Sequence, residues 1–407
     1  MIGVSRSLYA KIQSPGAYTY AFHPAVSASP FGPDLLGEKM SHKTLAEKLR
    51  HSCGTPLVFA GFDGCVDEIV HVVDIRYDAF HYDRIRTLSD YGEKISAAAG
   101  LSLNVEIESI AKKAGGNGPL FVLGLKKIGA DIIYVGCTGE TAVDPVFSEL
   151  AAGSEIIGIL DPGQTDAMEF EDGKIIRSKL TPHNRLTWEA IMDKISVEDF
   201  AAFMDRADLI SFNNWTMLLH MSDIWKHILD DVVPVMKCRP EEKTLFFDLA
   251  DPEKRSVEHI TEALEFIRRF QNTGFDTVLG LNLKEACEIL GLIRNASWAD
   301  FKSMPTEEIA APIAEYMGIS CLVVHPVTHA VCVEDGLCTV VEGPYCPNPV
   351  LTTGAGDAFN AGFAYGYINR YGPEDSLLLG VSSSGFYVRN GKNPTKEEVL
   401  GFIEGAV

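Results

Sequence analysis

The stretch Leu351-Thr-Thr-Gly-Ala-Gly-Asp-Ala-Phe-Asn-Ala-Gly-Phe363 carries the residue types best suited to chemistry. Gly354, Ala355 and Gly356 stand directly before an acid, Asp357, and an apolar, helix-like run follows from Ala358 to Tyr367. Small residues at a helix start let backbone N–H groups face a ligand. The helix N-terminus adds partial positive charge, so the site suits an anion. Asp357 would repel a phosphate as a ligand, yet it can take a proton from a hydroxyl beside one. Phosphate held next to a proton acceptor is what phosphoryl transfer to an alcohol requires. The string is not a Walker loop, because no Gly-Lys-Ser/Thr follows it.

Three further constellations accompany it. Gly61-Phe-Asp-Gly-Cys-Val-Asp67 follows an apolar, strand-like run. Asp63 and Asp67 can each accept hydrogen bonds from polyol hydroxyls, and the plain alternative is a turn with two solvated acids. Gly115, Gly116 and Asn117 combine close backbone approach with an amide that donates and accepts, which suits a sugar edge. A helix-start turn capped by Asn117 explains those residues equally well. Asn282 and Glu285 lie on one face of a helix start, where they could hold a hydrated Mg²⁺. The same spacing spells a capping box.

The elements that must position these residues alternate. Strand-like runs are expected at 57–60, 68–73, 131–136, 155–160, 174–178, 208–212, 244–248, 277–280 and 321–325. Helical patterns are expected at 119–128, 197–206, 215–231, 252–270, 284–290 and 307–317. Pro119 and Gly129 mark the first turn and the cap of one of them. Such alternation implies an α/β fold with a mainly parallel sheet covered on both faces. Glu171-Asp-Gly173 reads as a hairpin turn outside that alternation, part of a small β-rich lid with segments near 68–113 and 155–180. Residues 1–54 read as an irregular extension carrying one docking helix from Leu35 to Arg50, ahead of a domain spanning 55–407. Residues 74–113 are charged and helix-prone around Tyr82 to Ala99, and would cover the site or extend the lid.

The 407-residue chain has 35 Lys+Arg against 56 Asp+Glu, a net charge of −21. That disfavours nucleic acid or an anionic membrane as a partner, but not a phosphate held locally by backbone dipoles and a metal. The nine cysteines form no C-x-x-C pair and no zinc spacing, so they read as reduced residues of a cytoplasmic protein. No signal peptide and no bilayer-length apolar run is recognisable.

The Thr-Thr-Gly-Ala-Gly-Asp-Ala-Phe string is similar to the C-terminal signature of the ribokinase-like (PfkB) carbohydrate kinases. Gly115 to Glu140 resembles the N-terminal signature of the same family, and the resemblance spans roughly 57 to 405. It implies a three-layer α/β sandwich with a β lid and an enzyme that moves the γ-phosphoryl group of ATP, with Mg²⁺, to a sugar-like alcohol. It casts Asp357 as the base and Gly354, Ala355 and Gly356 as the anion hole. Asp67, best by its spacing, would bind the acceptor with Asp63, Gly115, Gly116 and Asn117. Asn282, Glu285 and Asp248 would organise the metal, and Asn282, Thr353 and Asn390 the nucleotide.

Departures from the family pattern matter. Leu351 replaces the Asp that helps form a monovalent-cation site, which puts a K⁺ site in doubt. Val324-His-Pro-Val-Thr-His-Ala330 replaces Val-Thr-Leu-Gly-x-x-Gly, and His325 and His329 read as strand-end or surface residues. Other readings are a nucleoside kinase, a catalytically silent sugar- or nucleotide-binding sensor, and an ADP-dependent sugar kinase, whose opening motif Gly61 to Asp67 also resembles. A small-molecule partner is expected, and there is room for a homodimer.

Overall fold

The computed structural model describes residues 35–52 and 54–405. The expected irregular stretch before Leu35 lies outside the described residues. The strands are β1 (Leu57–Phe62), β2 (Cys65–Arg76), β3 (Tyr82–Arg84), β4 (Ile107–Gly115), β5 (Asp131–Gly136), β6 (Glu155–Gly158) and β7 (Gly163–Phe170). They continue with β8 (Gly173–Lys179), β9 (Leu209–Asn213), β10 (Thr244–Asp248), β11 (Asp276–Asn282), β12 (Cys321–His325), β13 (His329–Glu334) and β14 (Leu337–Glu342).

A nine-stranded sheet runs in the order β14-β13-β12-β11-β10-β9-β1-β5-β6. From β12 to β6 along that order every pair is parallel, and β13 and β14 join as an antiparallel edge. Period-two alternation divides the apolar residues between two cores. In β10, Leu245 and Phe247 enter one core while Phe246 enters the other. The first core packs under helices Val197–Arg206, Val257–Thr273, Leu283–Arg294 and Thr306–Met317. The second packs under Asn117–Ile128, Ala355–Ile368 and Pro373–Asn390. Full burial of each large apolar side chain stabilises by about 1.5–3 kcal/mol, so this sandwich is the rigid body of the protein. The helix Leu35–Arg50 docks on the second core through Leu45 and Leu49, and Lys48 Nζ donates to Asp375 Oδ2 at 2.6 Å.

The second sheet has the order β3-β2-β7-β8, with β4 paired to β2. Its outer face buries Val70, Val72, Met168 and Phe170 in a small core of their own. Its inner face presents Asp67, Thr165, Ala167 and Ile176 to a cavity. This is the β-rich lid over the edge of the sandwich. Residues 155–158 are not part of it, because β6 pairs with β5 in the main sheet.

The region around Tyr82 to Ala99 is not one helix. Tyr82–Arg84 pairs with β2, and the helix begins at Leu88 after the Thr87 cap. The helix expected at 215–231 starts only at Met221 and ends in a π turn, Ile228–Val232. Among the described residues no helix is long and apolar enough to cross a membrane, and the described cysteines are all free thiols.

Candidate active site

The chemistry-bearing residues converge beyond the carboxyl ends of the parallel strands, where open α/β sheets place ligands. β1 delivers Asp63, β9 delivers Asn214, β10 ends on Asp248, β11 on Asn282 and β12 on His325. From the opposite side come the starts of two helices, Asn117–Ile128 and Ala355–Ile368.

Gly354 caps the second helix with φ 90°, and a Cβ there would meet the Tyr387 hydroxyl at 2.6 Å. Only glycine fits on both counts. The Gly354 and Gly356 amides have no hydrogen-bond partner among the described residues. The expected anion hole of three amides is corrected at Ala355, whose N–H is spent on the Thr352 carbonyl at 3.1 Å.

Asp357 follows within the first turn, and Asn117 Nδ2 donates to its Oδ1 at 3.2 Å. Asn117 Oδ1 in turn accepts from Asn214 Nδ2 at 2.9 Å. Asn214 Nδ2 also donates to Asp63 Oδ2 at 2.9 Å. Asp63 accepts the Asn117 and Gly118 N–H groups at 2.9 Å each, so it anchors the start of that helix. Asp63 was expected to touch the acceptor; it is fully buried and its oxygens are committed to the protein. Asp67 does face a cavity, beside Gly116, Lys113, Thr165 and Asn214. Gly115 makes room for it, since a Cβ there would fall 2.3 Å from the Asp67 carboxyl carbon.

That cavity measures about 120 Å³, and Leu351 and Thr353 close its far wall. A second cavity of about 350 Å³ is lined by Asn282, His325, Thr352, Gly356 and Phe359. Neighbours of Asp357 thus border both: Gly356 the larger, Thr353 the smaller. Thr353, expected to contact the nucleotide, lines the smaller cavity, and Thr352 lines the larger. Asn390, also expected to contact the nucleotide, is exposed and donates to Phe386 O at 2.8 Å on its own helix. His325 ends β12 as expected and stacks on Phe359 with ring centroids 4.6 Å apart. His329 opens β13 and faces Thr306 Oγ1 across 2.9 Å.

Burial, helped by the charge of Asp63, pushes the Asp357 carboxyl up to about 8. Burial raises Glu285 to about 8, with Asp248 the next cause, and Asp248 to about 7, with Asp357 the next. Asp63 and Asp67 are raised too, in each case first by burial. Glu285 and Asn282 form the capping box, and Glu285 also accepts the Asp251 N–H at 2.9 Å. Asp248 accepts from Ala250 N and Asn360 Nδ2, each at 2.9 Å. Among the described residues no three His, Cys, Asp or Glu side chains converge to cage a metal directly. Buried acids crowded in this way, Asp248 raising Glu285 and Asp357 raising Asp248, fit a divalent cation held through water.

Asn214 escaped the sequence reading. Its φ of 65° and its central place in the network are tertiary facts; the available signal was an Asn pair at the carboxyl end of a buried strand.

The chain is similar to known kinases along nearly its whole length. The family model for prokaryotic ketohexokinase matches residues 38–406. A ketohexokinase from Haloferax volcanii is 28% identical over 351 residues, 86% of this chain and 91% of that protein. Among solved structures, Arabidopsis thaliana ribokinase complexed with ribose and ATP aligns with a TM-score of 0.59 at 16% identity. The alignment covers 86% of this chain and 99% of that one. Adenosine kinase from Sinorhizobium meliloti aligns with a TM-score of 0.60 at 16% identity, over 87% of this chain and 100% of that one. The protein belongs to the prokaryotic ketohexokinase family, within the ribokinase-like (PfkB) carbohydrate kinases.

Proposed function

We propose that this enzyme, an ATP-dependent sugar kinase, acts on a ketohexose in the cytoplasm with Asp357 as general base. The observation that carries the assignment is the pairing of Asp357 with two unengaged amides, Gly354 and Gly356, at one helix start. The sugar would occupy the smaller cavity, its hydroxyls on Asp67, Asn214 and the Gly116 backbone. The nucleotide would occupy the larger one.

Asp357 takes the proton of the attacking hydroxyl as that oxygen bonds to the γ-phosphorus. The bond from that phosphorus to the β-γ bridging oxygen breaks, and ADP leaves with the electron pair. The Gly354 and Gly356 amides receive the charge that grows on the equatorial oxygens. Glu285, Asn282 and Asp248 would hold Mg²⁺ through its water shell. The ion, when bound, neutralises phosphate charge. Leu351 gives the smaller cavity an apolar wall, and its side chain offers no oxygen to K⁺. The lid would exclude water, which otherwise competes as acceptor.

A panel tests the substrate class: ketohexoses, aldohexoses, pentoses, sugar acids and nucleosides, each with ATP or ADP as donor. Ketohexose with ATP is expected to give the highest kcat/KM. If no ketohexose supports ADP formation while another class does, the substrate assignment fails.

A further inference from the structure

The mechanism above gives no role to Lys174. Lys174 stands second in β8, on the inner side of the lid, in phase with the cavity-lining Ile176 and Ser178. Its Nζ hydrogen-bonds to Thr353 Oγ1 and lies 3.5 Å from Thr352 Oγ1. Those threonines directly precede Gly354, the cap whose amide belongs to the anion hole. From behind, the Tyr387 hydroxyl donates to the Thr353 carbonyl at 2.8 Å. The loop is therefore gripped from the sandwich by Tyr387 and from the lid by Lys174.

The 74–113 stretch, an insert into the lid, explains how a hairpin tip on a thin lid can hold such a position. The turn Glu171–Asp172 immediately precedes β8. Glu171 N–H donates to Arg86 O at 2.8 Å, and Arg86 Nη1 donates to Glu171 Oε1 at 3.1 Å. The Leu88 N–H donates to Asp172 Oδ1 at 2.7 Å. Tyr91, in the insert's helix, stacks on Phe170 at the end of β7 with centroids 5.6 Å apart. This charged insert, expected from sequence to cover the site or extend the lid, thus clamps both sides of the turn that presents Lys174.

We propose that Lys174 is a positioning residue that ties the lid to the anion loop, and that the insert around Arg86 to Tyr91 is its brace. When the acceptor lies under the lid, Lys174 holds Thr352 and Thr353 so that the Gly354 and Gly356 amides face the transferring phosphoryl group. The inference rests on the kinase reading, and its test separates the two.

Full-length Lys174→Met and Lys174→Arg are compared with wild type at saturating ketohexose, ATP and Mg²⁺, with acceptor Kd measured by direct titration. Lys174→Met is expected to lose about tenfold or more in kcat with Kd within about twofold, and Lys174→Arg to recover most of it. The double variant with Thr353→Val is expected to lose no more than the worse single variant, because both remove one contact. Tyr91→Ala, which leaves Lys174 in place, is expected to lower kcat in the same sense. Unchanged kcat in Lys174→Met, an effect confined to acceptor KM, or losses that multiply in the double variant would each overturn the proposal. A wild-type protein inactive on every sugar overturns the kinase reading instead.

Discussion

As the proposed base Asp357 would work only when ionised, yet its surroundings favour the protonated form. Burial and Asp63 raise its pKa to about 8 in the unliganded protein. kcat/KM reports ionisations of the free enzyme, so it is expected to climb with pH through neutrality, reach half its plateau near pH 8 and level off about a unit higher. An ordinary carboxylate would give a plateau from about pH 5 upward. A bound divalent cation would favour the carboxylate, so the corresponding rise in kcat should fall at lower pH. A kcat/KM flat from about pH 5.5 to 8.5 would remove Asp357 from that role. At this scale the sequence was legible where small residues and an acid stand together, at Gly354 to Asp357. It was ambiguous where two acids share one turn. Asp63 and Asp67 differ in role because one ends beneath a helix start and the other lies on the inner face of β2, and neither placement is encoded locally.

The helices that carry Asn117 and Asp357 cross at Gly124 and Ala361. A Cβ at Gly124 would lie 2.6 Å from the Ala361 Cβ. Gly124→Ala gains about 1 kcal/mol of helix propensity but overpacks the crossing by about 1–3 kcal/mol, so the clash should win. We expect a lower Tm and a lower kcat, because the Asn117–Asp357 contact spans the same two helices. Gly401→Ala is the control: it is exposed in helix Lys396–Gly405 with nothing within 4 Å of the added methyl, and should stabilise. A Gly124→Ala protein as stable as Gly401→Ala would contradict the packing argument. Buried strands such as β1, β5 and β10 were readable as apolar runs. β4 was not, because Ile-Glu-Ser-Ile-Ala-Lys-Lys-Ala-Gly has no alternation and becomes a strand only by pairing with β2. The helix expected from Trp215 starts late because the chain first turns at Asn214, with φ 65°.

Across the whole molecule, the site joins the rigid sandwich to a lid whose inner face mixes polar Asp67 and Thr165 with apolar Ala167 and Ile176 and whose outer face is closed by an insert. Alternation of strands and helices made the sandwich legible in sequence, while the pairing of β2 with β7 and β4, which builds the lid, depends on contacts distant in the chain. The sandwich also bears the cost of the buried acids. A carboxyl whose pKa folding raises binds its proton more tightly in the native state. Its stabilising contribution is full below about pH 4 and is lost as pH rises through about 8. Asp357→Asn removes that loss, so the variant should be at least as stable as wild type at pH 8. The same variant gives the most direct test of Asp357 as the base. Turnover of ketohexose with ATP and Mg²⁺ at saturation is measured at pH 8, beside Tm. The expected result is a folded protein with Tm no lower than wild type and kcat reduced by about 10² or more. A folded Asp357→Asn enzyme with near-normal kcat would contradict it.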